Sequence, residues 1–135
     1  VVEGAQAAAT TNELARPKLF LFNLALTQEK LYYTAAAIET YDKYLQLVPK
    51  SHTAYYNRGH LKLSQNKFDD AIKDFESALE IEGRFFDAQN EIAIAHFRQK
   101  KYADALKDIR TAAEINTTSK IVRENKNRLE ACIRS

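Results

Sequence analysis

From about residue 18 to residue 133, apolar positions recur at steps of three and four rather than in alternation. That period predicts amphipathic helices, each buried along one stripe. Polar breaks at Gln65-Asn66-Lys67 and Lys100-Lys101 divide the pattern into predicted helices near 53–65, 68–81, 87–99 and 102–115. Upstream, residues 30–37 read KLYYTAAA, with no Gly, Asn or Asp to mark a turn, and helices are placed near 18–31 and 34–47. Pro17 suits the first turn of a helix, while Thr10 and Glu13 have the spacing of a capping box and predict a short extra helix at 11–16. At the other end, TTSK starts a last helix at 119–133. Ile121, Val122, Asn125, Leu129, Cys132 and Ile133 form its stripe, and Lys120, Arg123, Lys126, Asn127 and Glu130 its solvated side.

One residue sits oddly in this pattern. Gly59 falls inside a predicted helix, where glycine costs about 1 kcal/mol relative to alanine. Stepping 34 residues either way from it reaches Ala25 and Ala93, both small. The same step takes Ala71 to Ala37 and Ala105, Phe75 to Tyr41 and Ile109, and Ala78 to Tyr44 and Ala112. Tyr55, Gly59, Lys62 and the run Ala71, Phe75, Ala78 are therefore expected to face one another across a helical hairpin. A missing side chain lets two helix backbones approach more closely than the usual 8–10 Å or so.

A 34-residue period with small residues at these places and an aromatic four beyond the second resembles the tetratricopeptide repeat (TPR) family. Tyr55, Gly59, Phe68, Ala71, Phe75, Ala78 and Leu79 carry the resemblance most fully. Arg58 and Lys62 depart from it, standing where apolar residues are common, and Gly83 replaces a closing proline that Pro49 alone retains. The resemblance implies an all-α solenoid of three helix-turn-helix repeats, 18–51, 52–85 and 86–119, ending in a solvating helix at 119–133. The domain is expected to span 17–135, behind an N-terminal leader at 1–16, flexible or a short helix, that could fold over the first repeat.

It also implies which residues line the inner groove of a right-handed superhelix. Phe22 and Leu26 fall there in the first repeat, Tyr56, Asn57 and His60 in the second, and Asp87, Asn90, Glu91, Ile94 and Arg98 in the third. Leu63 and Phe97 share the register, and Glu124 and Arg128 extend the row into the end helix. Large apolar groups on such a face suit a partner site, and asparagines offer donors and acceptors to a peptide backbone. Many TPR proteins grip the terminal carboxylate of Hsp70 or Hsp90 with Lys, Asn and Arg. The matching positions here are Phe22, Leu26, Asn57, Asp87 and Glu91, of which only Asn57 agrees. Asp87 and Glu91 would repel an acidic tail and favour a peptide with Lys or Arg beside apolar residues.

Composition narrows the function classes. The chain has 135 residues and a formal charge of +2, with nine basic against eleven acidic residues over 1–83 and eleven against seven over 84–135. That mild asymmetry, without aromatics beside the basic residues of the end helix, argues against nucleic acid. No apolar run reaches the roughly 18–20 residues that insertion into a membrane needs. Cys132 is a lone cysteine, and His52, His60 and His96 lack ligand spacing, so neither metal nor other cofactor is expected. Asp69-Asp70 fits a helix start better than a catalytic pair, and no nucleophile with a base can be named, so no enzyme is expected. The reading is a non-catalytic module that binds a peptide segment of a partner protein. The alternatives are a self-assembling, homo-oligomeric scaffold and, behind it, an Hsp70/Hsp90 adaptor. A cytoplasmic location is expected. The rival, an exported chain, rests on the small-x-small form of Ala5-Gln6-Ala7; separately, a first residue of Val1 suggests a processed chain or an excised fragment.

Overall fold

The computed structural model describes residues 2–115 and 120–134. Among them the regular structure is seven helices: α1 (Val2–Lys30), α2 (Thr34–Leu47), α3 (His52–Ser64), α4 (Phe68–Ile81), α5 (Phe86–Arg98), α6 (Tyr102–Ile115) and α7 (Lys120–Arg134). Neighbours in sequence are neighbours in space, so α1/α2, α3/α4 and α5/α6 form three hairpins and α7 closes the stack against α6. Bounds for α2, α4 and α6 are those predicted, and α3, α5 and α7 are shifted by one residue. The first helix differs more. It runs without a break from Val2, so Pro17 lies in its interior, and no separate helix occupies 11–16. Residues 117–119 of the predicted start TTSK lie outside the described residues.

The three hairpins turn in the same way. Tyr32, Asn66 and Lys100 adopt φ of 62°, 63° and 65°, again 34 residues apart. In each, that residue's N–H reaches back three residues and the next N–H five, as Asn66 to the Leu63 carbonyl and Lys67 to that of Lys62. This is the Schellman closure, which satisfies carbonyls orphaned at a helix end. Asparagine tolerates the left-handed region, whereas a tyrosine there is strained by crowding of its Cβ. Tyr32 is 89% exposed and leaves little packing to lose. Tyr32→Asn should therefore raise stability by about 0.5–1 kcal/mol, read as a higher midpoint in urea.

The core is divided into three clusters, each spanning three successive helices, as expected where a repeat touches only its neighbours. Its largest fully buried side chains are Tyr41, Phe75 and Ile109, one per repeat at the 34-residue step. Gly59 lies against the second of these. A Cβ built on it would sit 2.8 Å from Phe75 Cε1, 3.0 Å from Phe75 Cδ1 and 3.1 Å from Asp74 Cβ. The glycine is thus what lets α3 meet α4 so closely.

The two polar departures in α3 have a common partner that sequence reasoning missed. Arg58 donates through Nε and Nη2 to both carboxylate oxygens of Asp74, at 2.9 and 2.7 Å, and through Nη1 to Asp42 at 2.8 Å. Lys62 Nζ lies 3.1 Å from Asp74 Oδ2. Asp74 is 4% exposed, so a two-pronged Arg and a Lys meet one buried carboxylate. Asp42 and Asp74 lie on α2 and α4, and Arg58 joins these consecutive outer helices from α3.

Candidate functional site

On the side of the stack formed by α1, α3, α5 and α7, Tyr56, His60 and Glu91 lie close together, with Asn57 and Asn90 engaged beside them. At its centre the Tyr56 ring lies 5.0 Å from Phe85, 5.8 Å from Phe75 and 6.4 Å from His60, the last nearly parallel. Tyr56 is thus an anchored, half-buried wall rather than a free side chain. His60 Nδ1 lies 3.4 Å from Glu91 Oε2, one of the links from α3 to α5. Asn57 donates to the Tyr41 hydroxyl at 3.0 Å, and that hydroxyl donates to Glu29 Oε2 at 2.8 Å. Asn90 is buried and accepts from Asn125 Nδ2 at 3.0 Å, the link from α5 to α7.

Other predicted positions have different surroundings. Phe22 is half-buried, with its ring 6.2 Å from Tyr41 and 5.2 Å from Tyr44, and it lines the first core cluster. Leu26 is also half-buried. Arg98 turns toward the α3–α4 hairpin, donating to Asn66 Oδ1 at 2.8 Å and reaching over the Phe68 ring. Ile94 faces the space between α5 and α7. Asp87 stands at the exposed rim.

Glu29 was missed by sequence reasoning, although the 34-residue step back from Leu63 lands on it. With Asp87 and Glu91 it makes the centre acidic. Burial lifts the Glu29 carboxyl above its ordinary range, against the pull of the Tyr41 hydroxyl and of His60. Asp87 is raised by neighbouring protein atoms that displace water and then by the Glu91 charge. Burial followed by the charges of Glu91 and Asp87 raises the Tyr56 phenol, which stays neutral. For His60 the hydrogen bond to Glu91 is the leading cause and raises its pKa, against desolvation and with help from Glu91 and Glu29. Its folded value is higher than its unfolded one. This contribution to stability is therefore full below about pH 6.5 and is lost as pH rises through the folded value. The effect on folding is small, because the imidazole is 57% exposed. A one-dimensional NMR titration should place the His60 ring above the value of a histidine in an unfolded peptide.

A family model described as tetratricopeptide repeat matches residues 56–119. This stretch belongs to the tetratricopeptide repeat family. The described residues have the TPR fold. The chain superposes on the Arabidopsis OM64 TPR domain with a TM-score of 0.82 and 20% identity, covering 87% of this chain and 98% of the other. The first TPR of Spaghetti (RPAP3), bound to the HSP90 peptide SRMEEVD, also superposes at 0.82 with 20% identity, over 89% and 95%. The second TPR domain of human RPAP3, in complex with the HSP70 peptide SGPTIEEVD, matches at 0.79 and 18%, over 87% and 98%. Three repeats and an end helix account for the seven helices of this TPR solenoid. No described helix is long and apolar enough to cross a membrane.

Proposed function

We propose that this TPR chain is a non-catalytic protein–protein interaction module, holding a peptide segment of another protein along α1, α3, α5 and α7. The observation that carries the reading is the set of carboxylates, Glu29, Asp87 and Glu91, gathered about the Tyr56 and His60 rings. A partly desolvated acidic centre with an aromatic wall suits a Lys or Arg whose stem lies on the rings and whose charge meets the carboxylates. Apolar neighbours in the peptide then add burial, the usual division between anchors and charged selectors at an interface.

The chaperone peptides named for the two RPAP3 domains end in EEVD. Asp87 and Glu91 stand where the resemblance would place partners for such a tail, and Asn57 is engaged by Tyr41. SRMEEVD should bind at least about tenfold more weakly than a basic, apolar peptide of equal length, since like charges oppose it.

Affinity capture from a native extract tests the groove, with Glu91→Lys as the control and circular dichroism as the check on folding. Loss of the captured proteins in the folded variant is expected, and an unchanged set would end the groove assignment. A second readout is pH. Protonated His60 competes with a ligand cation for Glu91, and that competition is lost as pH rises through the raised His60 value. Affinity should rise from about pH 6 to about pH 8.

A further inference from the structure

The space between α5 and α7 has a chemistry of its own. Ala93, Ile94 and Phe97 from α5 and Asn125, Arg128 and Leu129 from α7 enclose a cavity of ≈150 Å³. The two helices are held in register by the Asn125–Asn90 hydrogen bond, and Leu129 and Ala93 at the base are 4% and 2% exposed. Aliphatic and aromatic side chains form the floor, while Arg128, an exposed residue, stands at the mouth. It makes no hydrogen bond or ion pair with the described residues. A cavity of about that volume accepts a group the size of benzene, which matches one Leu, Ile or Phe side chain.

The charge at this mouth is opposite to that at the groove centre. Ile94 lies three residues beyond Glu91 on α5, about 4.5 Å along the axis at the helical rise. An extended peptide advances roughly 3.3 Å per residue, so groups seated at the two places are one or two positions apart. Resting on the groove reading above, we propose that the α5–α7 cavity seats one apolar side chain of the bound peptide. An adjacent carboxylate meets Arg128, and a Lys or Arg one or two positions away meets Glu91. The partner segment is therefore a short bipolar motif of basic, apolar and acidic residues, and opposed charges at the two ends of the site fix its direction.

Selection of random dodecapeptides displayed on phage tests this, run on the intact chain and on the Arg128→Glu and Glu91→Lys variants. The parent should enrich an apolar residue beside Asp or Glu, with a Lys or Arg one or two positions off. Arg128→Glu should lose the acidic preference alone, and Glu91→Lys the basic one. A synthetic copy of the selected peptide, followed by fluorescence anisotropy, should bind Arg128→Glu at least tenfold more weakly than the parent. Replacing the peptide's carboxylate with the amide should erase that difference. A peptide that depends on Glu91 but binds the Arg128 variant unchanged would overturn this proposal and leave the groove standing. Enrichment indifferent to both substitutions, or none, would overturn both.

Discussion

Asp74→Ala is expected to cost about 3–5 kcal/mol of folding stability, the range for breaking a buried ion pair from one side. The loss comes less from the missing attraction than from what remains. Arg58 and Lys62, with side chains only 17% and 19% exposed, would keep their charges without the carboxylate that both now face. Arg58 would retain Asp42, which is 48% exposed and gives a weaker, better-solvated contact. For a single domain whose whole stability is of the order of 5–15 kcal/mol, such a loss is a large fraction. Guanidinium titration measures it, and a loss below about 1 kcal/mol would mean that the two cations reach water when released. Changing the three together, Arg58→Met, Lys62→Leu and Asp74→Ala, should recover most of the loss, because no charge is then stranded.

That cluster also marks where sequence reading stops. The 34-residue step located Gly59, Ala71 and Phe75 and their counterparts, since a repeated packing contact leaves the same residue size at the same place. All of these positions are buried. Arg58 and Lys62 looked like exceptions because their partner is 16 and 12 residues away across a hairpin turn, a separation that no single-helix period reports. Tyr32 fell between two predicted helices, but nothing in the residue type announced its left-handed backbone. That conformation is imposed by the hairpin closure, against the preference of the side chain. Pro17 misled because proline starts helices more often than it sits within them, yet α1 runs through it. In the groove, the family resemblance put Tyr56, His60, Asp87 and Glu91 on one inner face. Whether a side chain faces the open groove or a neighbour depends on contacts between helices. Asn57 and Asn90 are accordingly engaged by Tyr41 and Asn125, and Arg98 by the turn at Asn66.

Gly59→Leu is the second large effect, a loss of about 3 kcal/mol, at the upper end of the range for overpacking a filled core. Glycine in a helix interior is ordinarily a weakness, and replacing it with a better helix former should return up to about 1 kcal/mol. Here the first atom of any side chain would arrive 2.8 Å from Phe75 Cε1, nearer than unbonded carbons can rest. The ring cannot swing into water, because Phe75 is 0% exposed and belongs to the cluster holding α3, α4 and α5 together. Nor can Asp74 Cβ, 3.1 Å away, yield readily while its carboxylate is held by Arg58 and Lys62. Alanine meets the same first contact but adds no further atoms, so Gly59→Ala should lose about 1 kcal/mol, its helical gain offsetting part of the strain. Leucine forces the helices apart and with them the α3–α5 link from His60 to Glu91. Denaturation midpoints in the order parent, alanine, leucine are expected, and equal midpoints would show that α3 can leave α4 without penalty. Peptide capture by the folded fraction of Gly59→Leu should fall as well, because the spacing that brings Tyr56 near Glu91 is set by this contact.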